Sequence, residues 1–167
     1  MRWFHEDQLH TELTQAGLSI ELYEPLLTIQ SLTVGLEALK DDFSVNVLFL
    51  GDKGDAFSRQ VALRLSGIDV IWAESECDQQ AHFWCDYLNC GTQSLGRKLF
   101  SGENVIERSA FCYQIFEHSA LPSALRAYCQ KPLTTVVARC STFYINQESL
   151  TLTEYYLPTL QQFAPKS

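Results

Sequence analysis

From Phe43 onward the chain settles into a two-residue rhythm of apolar and polar positions. "FSVNVLFLG", "FSRQVALRL" and "VIWAESEC" are separated by the turn formers "GDKGD" and "SGID". Apolar side chains at every second position, bounded by glycine and aspartate, predict three strands joined as an antiparallel meander. Further strands are predicted over "NVIERSAFCYQIF", "LTTVVARCSTFYI" and "SLTLTEYYLP", the last two closed into a hairpin by "NQE". Helices fall between them: "DQQAHFWCDYLN" with Asp78 as N-cap, a short one over "SLGRKLF", and "PSALRAYCQ" with proline at a favoured first helical position. Ahead of the strands, residues 1–17 read as an amphipathic helix stopped by Gly17. "YEPLLTIQSLTVGLEALKDD" continues in helical pattern, with Ser31 or Thr33 available to cap "VGLEALK". The expected architecture is α+β: a six-stranded antiparallel sheet, mostly hairpin-linked, with inserted helices. With no repeat, low-complexity tract or linker to divide it, one domain over residues 1–167 is expected.

The chain carries a formal charge of −8, with 46% hydrophobic and 19% charged residues. That balance suits a globular fold and gives no diffuse attraction to phosphate backbones or anionic lipid. Nucleic acid is therefore not an expected partner. No run reaches the ~18 apolar residues of a membrane span and the N-terminus has no signal-like apolar core, so a cytoplasmic location is expected. Six cysteines without a CxxC pair read as free thiols in a reducing compartment. Cys77, His82, Cys85 and Cys90 are spaced as four soft ligands, but a helix over this stretch scatters them, which argues against a metal.

The same period-two reading exposes charges in line with apolar side chains. Arg59 shares a face with Phe57, Val61, Leu63 and Leu65; Arg139 with Val137, Ser141 and Phe143; Glu154 with Leu150 and Leu152. Two arginines and a glutamate should therefore converge on the covered side of one sheet. Burying an ion costs several kcal/mol unless it is paired, so the set must either satisfy itself or serve a ligand. One outcome is an Arg59–Glu154 ion pair, or side chains reaching solvent at a strand end. The other is a pocket for a small hydroxy-acid, with a guanidinium fork for the carboxylate and Glu154 accepting from the hydroxyl.

"LTLTEYYLP", "SLGRKLF", "QSLT" at 30–33 and the place of Arg59 in the second strand resemble the chorismate pyruvate-lyase family, in order and spacing, from about Leu26 to Pro158. The resemblance implies a six-stranded antiparallel sheet over a buried cavity, a fold shared with effector-binding domains of GntR-type regulators. It implies removal of pyruvate from chorismate to give 4-hydroxybenzoate for ubiquinone biosynthesis, with no metal or organic cofactor; a monomer is expected. Carried over by position, Arg59 holds the ring carboxylate, Glu154 lies near the ring hydroxyl, the Leu95 backbone contacts the carboxylate, and Leu32 sits on the flap over the cavity. Arg139 matches a further arginine of the family, in "ARCS". In the third strand the family has an arginine where this chain has Glu74, in "WAES". A carboxylate there should repel an enolpyruvyl carboxylate unless Arg139, Arg97 or a nearby lysine compensates. The competing expectations are a catalytically silent hydroxybenzoate-binding protein or an effector-sensing domain; no basic helix-turn-helix segment precedes the domain to favour the latter.

Overall fold

Two tight turns of left-handed backbone set the register of the sheet. Ser66 and Gly67 adopt φ of 52° and 74°, Asn146 and Gln147 of 52° and 66°. Two-residue turns with both φ positive match the twist of the strands they join. The computed structural model describes residues 2–102 and 104–165.

The first turn joins β2 (Ala56–Leu65) to β3 (Ile68–Asp78), and the second joins β6 (Val136–Ile145) to β7 (Glu148–Tyr156). Strand β1 (Phe43–Lys53) pairs with β2, and its register shifts between Val47 and Phe49. The order across the sheet is β1-β2-β3-β7-β6-β4, all antiparallel, with β5 also against β6. Here the sequence expectation needs one correction. The strand foreseen over residues 104–116 is two, β4 (Glu107–Arg108) and β5 (Cys112–Phe116), so among the described residues the sheet has seven strands rather than six.

Among the described residues five helices cover one face: α1 (Leu9–Gln15), α2 (Ile20–Thr28), α3 (Leu32–Leu39), α4 (His82–Leu88) and α5 (Leu95–Leu99). Helix α6 (Ser123–Tyr128) packs Leu125 on the opposite face against Trp72, Val136 and Tyr155. Serine side chains open three of these helices. Ser19 accepts from Leu22 N, Ser31 from Val34 N and Ser94 from Arg97 N, each satisfying a first-turn donor. Two expected starts move. The first helix begins only at Leu9, because Phe4 is bridged to Tyr113 beside β5 and a 3-10 turn over Glu6–Gln8 follows. Asp78 does not cap α4: it ends β3 and its carboxylate accepts from Gln80 N, while α4 starts at His82 after Ala81.

The helical layer is pinned by buried phenols. A helix leaves its last carbonyls without intrahelical donors. At the end of α2, Tyr156 Oη donates to Leu26 O at 2.9 Å and Tyr113 Oη to Leu27 O at 2.8 Å. Gly35 lets α3 lie close to α2, since a Cβ there would fall 2.9 Å from Leu26 Cδ2.

Candidate active site

The strand pairings lay out the inner face as a grid. One cross-strand row runs Arg59, Ser75, Leu152, Ser141 over β2, β3, β7 and β6; the next runs Val61, Ala73, Glu154, Arg139. Ala73 and Ser75 are small, so the middle of the floor is hollow. Leu32 at the start of α3 and Leu95 at the start of α5 line the roof. The resulting cavity holds about 510 Å³ of empty space including its mouth. All five residues singled out from the sequence, Arg59, Glu154, Arg139, Leu95 and Leu32, line it, and each is buried.

Of the outcomes open for the inward charges, an Arg59–Glu154 pair is not the one found. Arg59, 3% exposed, donates through Nη2 to Gly91 O and Gln93 O, both at 3.1 Å. It has no carboxylate partner among the described residues, and burial pulls its pKa below the ordinary value against a small opposing effect of Cys90. The backbone carbonyls orient its fork without neutralising it.

Glu154 pairs with Arg139, whose Nε lies 2.7 Å from Oε1, and both side chains are nearly inaccessible. Arg139 Nη1 also donates to Leu27 O at 3.2 Å and Ile29 O at 2.6 Å, at the C-terminal end of α2 where carbonyl charge favours a cation. Burial opposes the charged form of Arg139, but Glu154 and the nearby phenols more than reverse it, so its pKa is raised. Arg139 is a permanent cation that fixes one oxygen of Glu154. Oε2 has no partner among the described residues.

Arg108, which strand periodicity did not single out, also lines the cavity. It donates through Nε to Ser141 Oγ at 3.2 Å and through Nη1 to Gln30 O at 2.5 Å. Its guanidinium carbon lies 4.3 Å from the Phe111 ring centre and 4.7 Å from that of Phe143. Burial, with the Arg139 charge adding, pushes its pKa down to about 10, so it remains a cation at neutral pH. The signal that could have found it is the apolar neighbourhood "FCYQIF" just beyond.

Glu74 proves not to belong to this site, which corrects the expectation that it would repel an anion there. It alternates with Ala73 and Ser75 and so lies on the outer face, where it accepts from Lys53 Nζ at 2.9 Å, Ser58 Oγ at 2.9 Å and Gln60 Nε2 at 2.7 Å. The compensating cation is the lysine. Arg97 pairs with Glu37 at the surface.

The roof is held by its own contacts. Thr33 Oγ1 and Ser94 Oγ are 2.5 Å apart, Arg97 on α5 bridges to Glu37 on α3, and Gly96 leaves the space that Thr33 fills. These contacts, with Arg108 and Arg139 gripping the 27–30 segment, close α3 and α5 over the hollow.

No family model matches the chain. Over 174 aligned residues it is 26% identical to a probable chorismate pyruvate-lyase of Psychromonas ingrahamii, with 92% of this chain and 91% of that protein covered. The crystal structure of PhnF from Mycobacterium smegmatis superposes with a TM-score of 0.51 at 15% identity, covering 95% of this chain and 89% of that one. The C-terminal domain of the histidine utilization repressor from Pseudomonas syringae pv. tomato gives 0.47 at 10% identity, over 75% and 95% of the two chains. Among the described residues no helix is long and apolar enough to cross a membrane. Over nearly its whole length the chain is thus similar to a probable chorismate pyruvate-lyase, and it has the α+β fold that the resemblance in its motifs implies.

Proposed function

We propose that the protein is a chorismate lyase, releasing pyruvate from chorismate and leaving 4-hydroxybenzoate, a first step toward ubiquinone. The observation that carries this reading is the grid itself. A buried guanidinium without a carboxylate partner among the described residues stands at one side of the hollow, and two strands away, one row over, stands a carboxylate with one oxygen that has no partner among them. Strands lie about 4.8 Å apart and rise about 3.4 Å per residue, so the backbones of Arg59 and Glu154 are roughly 12 Å apart, enough for a ring with a carboxylate at one end and a hydroxyl at the other. The similarity to a probable chorismate pyruvate-lyase over nearly the whole chain supports the choice of substrate.

In this reading Arg59 binds the ring carboxylate, helped by the backbone at Leu95, while Leu32 closes over the ring. Glu154 Oε2 accepts from the ring hydroxyl. Held against the Arg139 cation, Glu154 works as an acceptor that orients the substrate. The ether C–O bond breaks, the ring hydrogen at the hydroxyl-bearing carbon is lost, and the departing enolpyruvate takes up a proton to become pyruvate. The ring gains aromaticity, so the protein mainly has to hold one reactive conformer and stabilise charge moving onto the leaving group. No added cofactor is required for that balance. The protein acts alone on a small molecule, as a monomer in the cytoplasm.

The test is direct. Purified protein is incubated with chorismate while pyruvate and 4-hydroxybenzoate are followed. Equal amounts of both, well above the spontaneous rate, are expected. Tight binding of 4-hydroxybenzoate without pyruvate above that rate would overturn the lyase and leave a hydroxybenzoate-binding protein.

A further inference from the structure

Among the described residues, four side chains of the charged types line the cavity: Arg59, Arg108, Arg139 and Glu154. Glu154 is engaged by Arg139, which leaves two guanidinium groups with no carboxylate partner among the described residues, Arg59 and Arg108. A chain of formal charge −8 thus encloses an excess of about two positive charges in one hollow. One ring carboxylate answers only Arg59.

The two unpaired cations enter from opposite sides. Arg59 is on β2 and Arg108 on β4, and β3, β7 and β6 lie between them. At about 4.8 Å per strand their backbones are some 19 Å apart, too far for one carboxylate to bridge. They nevertheless address the same row of the floor, because the row that begins at Arg59 ends at Ser141, whose hydroxyl accepts from Arg108 Nε. Among the described residues every acceptor on Arg108 is neutral: the Ser141 hydroxyl, the Gln30 carbonyl and, at 3.5 Å, the Gln30 side-chain oxygen. Nη2 has no partner among the described residues. The rings of Phe111 and Phe143, with Phe100 at 5.4 Å, make the half-buried charge tolerable without neutralising it. The cation stays available.

We propose that Arg108 reads a second carboxylate, so that the site selects ring acids carrying a further carboxylate on an ether arm over otherwise similar ring acids that lack it. The identity of that arm rests on the lyase reading above, where it is the enolpyruvyl group; the preference for a second anion rests on the charge placement alone. Arg108 supplies the cation that the third strand, with Glu74 turned outward, does not. Once the ether bond breaks, this carboxylate leaves with pyruvate and the ring product keeps only its contact with Arg59.

The experiment uses two aromatic acids that cannot eliminate: 3-(carboxymethoxy)-4-hydroxybenzoate, a dianion, and 3-ethoxy-4-hydroxybenzoate, its monoanionic near-isostere. Binding of each is measured by calorimetry to the wild-type chain, to Arg108→Met and to Arg108→Lys, with thermal melts confirming that each variant is folded. A hydrogen-bonded charge pair contributes about 1.5–3 kcal/mol, so the wild type should prefer the dianion by about 10–100-fold. Arg108→Met should lose that preference while its affinity for the monoanion moves less than about threefold. Arg108→Lys should keep part of it, because the charge remains but the fork is lost. Equal affinity of the wild type for both acids, or a preference that survives Arg108→Met, overturns the proposal. Should the methionine variant not fold, the lysine variant decides: an undiminished preference there overturns it, and a reduced one at unchanged monoanion affinity supports it. Failure of the lyase reading is separate, being absence of pyruvate from chorismate with the dianion preference intact.

Discussion

The two faces of the sheet bury charge in opposite ways. On the outer face Glu74 accepts three hydrogen bonds, from Lys53, Ser58 and Gln60, with Ser58 fully buried and Gln60 nearly so. On the inner face Arg59 and Arg108 are oriented by neutral acceptors, and Glu154 is held by one oxygen. A saturated network rigidifies a fold; one with free valences on a hollow floor has room for a ligand. Burial of charge alone does not distinguish structure from site, and what remains unpartnered does.

The comparison is broken most severely at Arg139, which serves both purposes. Arg139→Met leaves Glu154 as a buried unpaired carboxylate and takes the guanidinium donor from the Leu27 and Ile29 carbonyls, so a stability loss of about 3–5 kcal/mol is expected in urea unfolding. An unchanged midpoint would remove the pair from the structural framework. Next comes Arg59→Met, for which 4-hydroxybenzoate affinity should fall about 100-fold. Stability should fall by about 1–2 kcal/mol as well, since the 91–93 loop loses its anchor. Wild-type affinity in this variant would take Arg59 out of the site.

Glu74 sharpens the contrast from the other side. Glu74→Gln should cost about 1–2 kcal/mol and leave chorismate turnover within twofold, and Glu74→Arg should not improve turnover, because the side chain faces away from the cavity. Burial pushes the Glu74 pKa up, but Lys53, Gln60 and Ser58 together reverse this and leave it below the ordinary 4.5. A carboxyl group lowered on folding stabilises above its unfolded pKa and ceases to do so as pH falls through its folded one. Wild-type stability should therefore drop more steeply below about pH 4.5 than that of Glu74→Gln, as thermal melts across pH 3–6 would show. The smallest effect is expected at the roof. Thr33→Val removes the hydroxyl contact to Ser94 and should speed release of 4-hydroxybenzoate a few-fold in stopped-flow displacement, with little change in stability.

Much of the site was readable because β2, β6 and β7 are regular where it lies. A strict two-residue period put Arg59, Arg139 and Glu154 inward, as observed, though it could not say which would pair. Arg108 was invisible to the same rule. The chain breaks between β4 and β5, so Arg108 faces the same side as Phe111 and Tyr113, at odd spacing, and a continuous strand would have set them on opposite faces. Glu74 carries the reverse lesson. Matching it to a cation of similar proteins suggested a place in the site, whereas alternation within its own strand, Trp72, Glu74, Glu76 against Ala73, Ser75, Cys77, already turned it outward. Periodicity within the chain was the better guide. Helix starts failed for a local reason: β3 runs on to Asp78, leaving it no freedom to act as a cap.

The guanidinium of Arg139 clasps a carboxylate with one nitrogen and the tail of a helix with another. Any drift at that position would be punished as misfolding before it could be noticed as lost chemistry. A cation preserved there in some remote cousin would consequently testify to an intact scaffold, and whether that cousin processes anything must be asked of the unclasped positions instead.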